Sequence, residues 1–416
     1  MDFKKKRWIC YGASLILVIC AGIQNSLSVF QIPLDEKFGW GIPKIAFAYS
    51  ILCVAELIVV VFFVGKLREK LGIQKFMILG AVFFGGGIFL CAFISSSVFE
   101  LYMYQGVMVG IGHAIIYPCL TSYVIQIIPE RAGFASGFVV GAYSCGTLVW
   151  APLAANIATS TGDVSQAFFV IGAIMLIALL SLSLLLREPP EGFLENVSKP
   201  VEETKNSLSV RDVPRREMLR MPVFYLFYLT FLIPILGGMM VMTQGATIFQ
   251  YELGVSAGVA ATMLGALAIC NLSGRMLSAG VFDRLGPTIM MRLFFILQII
   301  GFCGMLFLKN NAFFLASACA CLLGFGGFAA LMPAMTSRLF GVKYLTENFG
   351  IIFTIYSIGG FLAPALVSNL RQFSGGYTLS FSIILALTII GFFFSEQLSR
   401  VLLRQGERQM DVNMDK

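Results

Sequence analysis

The chain has 416 residues, of which 58% are hydrophobic and only 12% are charged. Soluble globular proteins carry about 25% charged residues, so this composition excludes a soluble, a disordered and a collagen-like protein. The net charge is +7, but the basic residues lie in gaps between long apolar runs and do not indicate nucleic-acid binding. A mean hydropathy of +0.87 instead predicts a helical protein that crosses the lipid bilayer several times.

A helix needs about 20 mostly apolar residues to cross a bilayer, and the sequence contains twelve such runs. The first follows a basic N-terminus, but it is too long for a signal-peptide core and lacks a clear cleavage site, so we expect a retained helix. The spans are predicted at 8–33, 44–65, 76–96, 98–127, 134–160, 166–186, 221–250, 256–281, 288–308, 312–338, 345–370 and 378–399.

The distribution of Lys and Arg sets the expected orientation. Of the 29 basic residues, 24 fall on one side of the predicted spans and 4 on the other, and the last, Arg275, lies within a span. Cytoplasmic loops carry the excess of Lys and Arg in membrane proteins. Both termini are therefore predicted to lie in the cytoplasm.

One loop is longer than the others and divides the spans into two sets of six. It covers residues 187–220 and is rich in Glu, Lys, Arg and Pro. We predict an N-terminal six-helix half at 1–186, this cytoplasmic linker, a C-terminal six-helix half at 221–404 and a cytoplasmic tail at 405–416. The linker is expected to be a flexible or partly helical tether.

The two halves repeat short motifs in the same order, which predicts two pseudo-symmetric repeats. Each match is weak alone because Gly and Pro are common in membrane helices, but their shared order is hard to attribute to chance. The matches pair Gly110, Gly112, Pro118, Thr121 and Ser122 with Gly324, Gly326, Pro333, Thr336 and Ser337, then Tyr143, Ser144 and Gly146 with Tyr356, Ser357 and Gly359, and Gly72 with Gly286.

Two six-helix halves joined by a long cytoplasmic loop resemble the major facilitator superfamily. Residues 65–75 resemble its signature G-x-L-x-D-R-x-G-x-x-[RK], with Glu69 in place of Asp. The resemblance implies an all-α membrane protein with 12 transmembrane helices, whose substrate site is exposed to each side of the membrane in turn. It also implies a monomer in which Glu69, Lys70, Asp283 and Arg284 latch the outward-open state.

Helix one and span four narrow this resemblance to one branch of the superfamily. They are similar to the monocarboxylate transporter and oxalate:formate antiporter branch, and the similarity covers nearly the whole chain except the central loop and the tail. The residues that carry it are Gly22 to Leu34 with Phe38, Gly39 and Trp40, and Gly110 to Pro118 with Arg131 to Gly137.

Arg275 is the sharpest functional candidate. A charged side chain at the centre of a membrane helix costs at least about 2.5–3.5 kcal/mol, so such residues usually face a cavity and act there. The planar guanidinium fits a carboxylate bidentately, and Arg275 occupies the position of the substrate arginine in the resembled branch. We predict that Arg275 binds the substrate anion. The alternative is a structural ion pair, for which Glu56 is the obvious partner.

Asn271 lies four residues before Arg275, on the same face of the helix. In the resembled proton-coupled monocarboxylate transporters, an acid stands at this position and helix one carries a lysine. The matching residues here are the neutral Asn271 and Asn25, which puts the proton relay of those relatives in doubt. Each asparagine is predicted either to bind the substrate or to hold helices together through hydrogen bonds.

The resembled oxalate:formate antiporters carry a lysine on helix eleven where this chain has Tyr356. One fixed cation matches a monocarboxylate better than a dicarboxylate by simple charge balance. We therefore predict a small monoanion such as lactate, pyruvate or formate, and keep an oxalate-type dicarboxylate exchanger as the alternative.

Four further polar residues lie on helices that line the pathway in this fold. Tyr117 and Gln24 are candidates for hydrogen bonds to the substrate. His113 is the single histidine and belongs to the residue type that titrates near neutral pH, and Glu56 lies in the middle of span two. Both are candidates for carrying a coupled proton. The structural alternatives are a neutral packed histidine and a carboxyl group that is protonated or bonded to backbone.

These features predict a secondary active transporter of small monocarboxylates, by proton symport or anion exchange, in a bacterial inner membrane. No metal or cofactor is expected, because the ten cysteines form no C-x-x-C pair, and no nucleophile elbow or phosphate loop indicates an enzyme. A drug or organic-cation exporter is disfavoured by Arg275 and the shortage of buried acids. A non-transporting membrane sensor would need a signalling domain, which we do not expect.

Overall fold

The computed structural model describes residues 3–190, 212–308 and 310–414, and over these residues it contains helices and no β-strand. Short 3-10 segments cover Gly22–Phe30, Cys91–Phe93 and Pro129–Arg131, and π-helical segments cover Val60–Val64 and Tyr102–Met108. The α-helices are α1 (Phe3–Ala21), α2 (Gln31–Phe38), α3 (Ile42–Val59), α4 (Gly65–Leu90), α5 (Val98–Leu101), α6 (Val109–Ile127), α7 (Ala132–Thr161), α8 (Val164–Ser183), α9 (Arg215–Met218), α10 (Pro222–Leu253), α11 (Ala257–Phe307), α12 (Asn311–Phe340), α13 (Leu345–Ser374) and α14 (Thr378–Met414).

Every predicted span falls on helical chain, which confirms the predicted all-helical membrane fold. Within the part of the chain that the structure describes, ten helical stretches are long and apolar enough to cross a membrane. One of them, Lys44–Phe93, is 50 residues long and contains the predicted second and third spans, and the predicted eighth span lies in the first part of α11. Adjacent spans therefore follow one another as nearly continuous helix with a sharp change of direction between them.

Two glycines make these changes of direction, and they are the pair that the sequence repeat matched. Gly72 has φ 71° and ψ 167° inside α4, and Gly286 has φ 77° and ψ 167° inside α11. Residues other than glycine rarely adopt a positive φ of this kind. The near-identical backbone angles show that the loops after spans two and eight are built alike.

The chain divides into two compact units. The first comprises Met1–Ile128, Val139–Asn196 and Phe349–Ser357, and the second comprises Pro129–Phe138, Val197–Asn348 and Ile358–Lys416. The predicted six-helix halves, 1–186 and 221–404, are continuous stretches of sequence. The two units are defined by contacts in space, so each contains several separate stretches of the chain. A short stretch of α13, Phe349–Ser357, therefore belongs to the unit that contains the first spans.

Within each unit, glycines on the fourth helix of the repeat allow close approach of neighbouring helices. A Cβ atom added at Gly112 would lie 2.3 Å from the backbone nitrogen of Phe84 on α4. One added at Gly327 would lie 2.3 Å from the ring of Phe294 on α11. Both glycines stand six residues before the proline of their helix, Pro118 or Pro333, so the true repeat partner of Gly112 is Gly327.

Candidate functional site

The first unit buries an acid and a base against each other. Glu56 lies on α3 and His113 on α6, and the Glu56 Oε1 and His113 Nδ1 atoms are 2.6 Å apart. The exposed fractions of the two residues are 4% and 3%. A buried charge needs a partner to offset its lost hydration, and each of these groups supplies one to the other. Both sequence candidates for proton coupling therefore belong to a single pair.

The second oxygen of Glu56 has its own partner. Ser357 Oγ, on the stretch of α13 that belongs to the first unit, donates a hydrogen bond of 3.4 Å to Glu56 Oε2. The carboxylate therefore ties three helices of this unit together, namely α3, α6 and α13.

Aromatic rings enclose the pair. The Tyr117 ring stacks on the His113 ring, with centroids 5.5 Å apart and planes 9° apart. Tyr143 lies 5.5 Å from His113 and 4.6 Å from Tyr117, and Phe353 lies 5.2 Å from Tyr117. Tyr356 in turn contacts Phe353 at 5.3 Å. The rings exclude water from the pair and leave few groups that can exchange protons with it.

Two further titratable side chains lie on the same helix as the carboxylate. Tyr49 and Cys53 stand seven and three residues before Glu56, on the same face of the helix. They place a phenol and a thiol beside the acid on the side of α3. We refer below to Glu56, His113, Ser357, Tyr117 and Tyr143 as the acid–base cluster.

The helices that carry the pair are both irregular. The π-helical segment Val60–Val64 begins four residues after Glu56, and the segment Tyr102–Met108 ends five residues before His113. Such π-helical segments interrupt the regular hydrogen-bond ladder and occur often at functional sites.

The second unit buries Arg275 on α11. Arg275 and Asn271 are each 5% exposed, and Arg275 Nε donates a hydrogen bond of 3.4 Å to Asn271 Oδ1. The neighbouring backbone is in tight contact with α12, since a Cβ atom added at Gly326 would lie 2.0 Å from the Asn271 carbonyl oxygen. The predicted pairing of these two side chains on one helix face is therefore present in the structure.

The remaining sequence candidates lie apart from these groups or outside the described side chains. Gln24 is 5% exposed, and its Oε1 atom has no hydrogen-bond partner among the described residues. It lines a small cavity with Gln105, Phe30, Ile88 and Phe168, none of which belongs to the acid–base cluster. Asn25 lies on the 3-10 segment Gly22–Phe30, but its side chain is outside the described part of the chain.

At the loop after span two, the observed ion pair differs from the expected latch. Glu69 and Lys70 are exposed, whereas Arg68 forms two hydrogen bonds of 2.6 and 2.9 Å with Glu188. Glu188 also accepts a hydrogen bond from the Ile73 backbone N–H, next to the Gly72 turn. The side chains of Asp283 and Arg284 lie outside the described residues.

The same contacts set the charge state of Glu188. Partial burial raises the pKa of the Glu188 carboxyl, but the hydrogen bonds and charge of Arg68 and the Ile73 N–H outweigh that effect and hold this pKa below its usual value. Glu188 is therefore ionised at neutral pH and bonds the Gly72 turn as a carboxylate.

Sequence reasoning missed three members of the acid–base cluster and its surroundings: Tyr143, Phe353 and Ser357. The internal repeat contained a signal for two of them, because it pairs Tyr143-Ser144 with Tyr356-Ser357. The repeat was interpreted as evidence for symmetry and not for a site. Among the described residues, no group of His, Cys, Asp and Glu side chains is arranged to hold a metal ion.

Comparison with known proteins adds the family. The profile of the Major Facilitator Superfamily matches residues 14–364 and 246–409 of the chain. Among solved structures, the transporter FucP in its outward conformation superposes with a TM-score of 0.75 at 13% identity, over 94% of this chain and 99% of that chain. At that identity the likeness concerns the fold alone.

Three relatives are similar over most of their length. The MFS-type transporter YhjX of Escherichia coli is 26% identical, over 86% of this chain and 87% of that protein. The oxalate:formate antiporter of Oxalobacter formigenes is 24% identical, over 93% and 90%. Monocarboxylate transporter 12 of Rattus norvegicus is 22% identical, over 90% and 81%. The resemblance to this branch that the sequence motifs indicated is confirmed.

Proposed function

Because the chain belongs to the Major Facilitator Superfamily, we propose that it is a secondary carrier of small monocarboxylate anions of the lactate, pyruvate or formate type. Two of its relatives bear names that specify carboxylate transport, an oxalate:formate antiporter and a monocarboxylate transporter. Transport would proceed by alternating access, as in other secondary transporters. Its place is a bacterial inner membrane, as a monomer, with transport and not catalysis as its activity.

The observation that carries this proposal is the buried guanidinium of Arg275. It is 5% exposed on a membrane helix, next to the side-chain amide of Asn271. A guanidinium stays protonated and presents a planar fork that matches a carboxylate. The adjacent amide is neutral, so the charge that these two side chains carry is the single positive charge of the guanidinium. One charge suits a monoanion better than an oxalate dianion.

Uptake into proteoliposomes tests the proposal. Wild-type protein is compared with Arg275→Lys for radiolabelled lactate, formate and oxalate. A bidentate, charge-assisted contact contributes about 1.5–3 kcal/mol, so Arg275→Lys should lose about tenfold to more than a hundredfold in lactate uptake. The matched control is Arg292→Lys on the same helix, where the arginine pairs with Glu396 and is half exposed.

Three outcomes would contradict the proposal. Full lactate uptake by Arg275→Lys would exclude the bidentate clamp. Wild-type uptake of oxalate that matches uptake of lactate would favour the dicarboxylate exchanger, which the name of the Oxalobacter relative keeps as the second candidate. Absence of uptake of all three anions by wild-type protein would overturn the assignment of carboxylates as the substrate class.

A further inference from the structure

We propose that Glu56 and His113 act as one proton-binding site, which takes up a single proton in each transport cycle and makes the carrier a proton symporter. The proposal rests on the proposed function for the identity of the transported anion. It places the coupled proton in the first unit, on groups joined by a contact of 2.6 Å. It does not place it beside Arg275, where the matching residue is the neutral Asn271.

Charge balance fixes the number of protons. An ionised Glu56 beside a neutral His113 carries one negative charge, and one added proton makes the pair neutral. The pair is 4% and 3% exposed and walled by Tyr117 and Tyr143, so a net charge there would lack hydration. Burying a neutral pair costs far less than burying a net charge. In the proposed cycle, the closed cluster therefore holds one proton.

Opening of the cluster to water would remove that constraint. A hydrated carboxylate is stable without the proton, so the pair can release it to the aqueous phase and bind another there. The step is a simple protonation: water or buffer gives the proton to the carboxylate or the imidazole, and only that O–H or N–H bond forms and later breaks. In net symport the proton is bound when the loaded carrier closes, it leaves when the carrier opens to the other side, and the empty carrier returns without it.

The free nitrogen of the imidazole links this proton to the anion. His113 Nε2 is buried and has no hydrogen-bond partner among the described residues. Without the extra proton, Nδ1 must donate its hydrogen to the carboxylate, so Nε2 bears a lone pair that repels an anion. With the proton, Nε2 bears a hydrogen whichever partner holds the charge. Protonation therefore converts Nε2 into a donor for a carboxylate that reaches His113.

The surrounding groups fit a proton site that changes state. The titratable neighbours are Tyr49 and Cys53 on the same helix as Glu56, Tyr117 on α6 and Tyr143 on α7. Tyr356 on α13 lies behind Phe353, whose ring it contacts. Phenols and a thiol are neutral near pH 7, so they supply hydrogen-bonding groups without a competing charge. Ser357 completes the set by donating to Glu56 Oε2.

Two transport assays separate the pair from the anion site. In lactate exchange at equal pH, no net proton moves. With a gradient of one pH unit, symport of one proton per anion drives about tenfold accumulation. Wild type should show both. Glu56→Gln and His113→Gln should exchange lactate but lose accumulation. The matched control is Glu100→Gln, a partly exposed glutamate that accepts a hydrogen bond from Ser95 near the start of the same transmembrane segment as His113.

The outcomes distinguish this inference from the proposed function. Lactate exchange by wild type without accumulation in a pH gradient would overturn the proton site and leave the monocarboxylate carrier intact. Tenfold accumulation by Glu56→Gln or His113→Gln would also overturn it. Failure of wild type in both assays would count against the proposed substrate class. Proton binding by Glu56 and His113 is then tested by the spectroscopic experiment below.

The spectroscopic test needs no substrate. The chain contains one histidine, so protein labelled with ¹⁵N-histidine gives ring signals from His113 only. The wild-type ring signals should change with pH, over a different range in Glu56→Gln and over the same range in Glu100→Gln. The proposal would be overturned if the wild-type ring signals did not change with pH. It would also be overturned if their pH dependence were the same in wild type and Glu56→Gln. The wild-type measurement decides even when a variant does not fold.

Discussion

The two repeats have the same turn geometry and similar close contacts between helices, but they bury charged residues at different positions. Each repeat has a glycine at its turn, Gly72 in the first and Gly286 in the second. Sixteen residues before that glycine, the first repeat has Glu56 and the second has Cys270. Five residues before the helix proline, the first has His113 and the second has Phe328. Phe328 packs against the rings of Phe231, Phe294 and Phe295.

The reverse holds for the cation. Eleven residues before the turn glycine, the second repeat has Arg275 and the first has Val61, which lies in the π-helical segment Val60–Val64. Each repeat thus carries one kind of polar group at a position that is apolar in the other. The difference teaches that a duplicated scaffold keeps its packing and turn geometry while its chemistry diverges, with the acid–base pair in one unit and the anion-binding candidate in the other.

The close contacts of the two repeats predict an unequal cost of the same mutation. Gly112→Ala would place a methyl group against the Phe84 backbone, whereas Gly327→Ala would meet the Phe294 ring. A side chain can rotate away, whereas a helix backbone cannot. Gly112→Ala should therefore destabilise the protein by about 3 kcal/mol, and the cost of Gly327→Ala should be smaller by about 1 kcal/mol. Thermal unfolding of the purified variants measures this.

The control for that comparison is Gly86→Ala, since a Cβ atom there meets no atom within 4 Å. It should leave the unfolding temperature unchanged or raise it slightly through better helix propensity. Equal destabilisation by Gly112→Ala and Gly327→Ala would show that both contacts adjust to the added methyl group to the same extent. It would contradict the proposed difference between a backbone contact and a side-chain contact.

Residues of the second repeat can also be moved into the first. Glu56→Cys leaves His113 without its acidic partner, and should destabilise by about 1–3 kcal/mol, the cost of an unsatisfied buried polar group. The double variant Glu56→Cys with His113→Phe reproduces the apolar pair Cys270 and Phe328 and should regain most of that stability, since a matched apolar replacement leaves no unpaired group. A double variant less stable than Glu56→Cys would contradict this interpretation.

The smallest expected effect concerns the turn after span two. Glu188→Gln removes the ion pair with Arg68, and Glu188 is about half exposed, so the loss should stay below about 1 kcal/mol after solvent screening. Because the folded-state pKa of Glu188 is lowered, its contribution is present above the usual Glu value of about 4.3 and is lost as pH falls through the lower folded value.

Unfolding midpoints of wild type and Glu188→Gln should therefore converge as the pH drops below about 4. Glu69→Gln is the control, since Glu69 is exposed and is the acid that the signature motif indicated. A larger effect of Glu69→Gln than of Glu188→Gln would restore the signature acid as the main partner at this loop.

Much of the architecture was predictable. The apolar runs predicted the helical segments, and the repeat paired Gly72 with Gly286, which the structure places at two turns with similar backbone angles. Arg275 and Asn271 were predictable as neighbours, because residues four apart share a helix face. The partners of Glu56 were not predictable: His113 is 57 residues away and Ser357 is 301 residues away along the chain.

The sequence by itself determined the membrane class, the order of the helices, the repeat and the one arginine buried within a predicted span. Tertiary structure decided which buried groups meet: Glu56 with His113, and Arg68 with Glu188 in place of the signature acid. The physical reason is that lipid tails and the interior of the helix bundle are similarly apolar. The hydrophobic pattern of a membrane helix therefore does not reveal which of its faces points to the other helices. Only the packing of helices against one another fixes that rotation, and with it the chemistry of each unit.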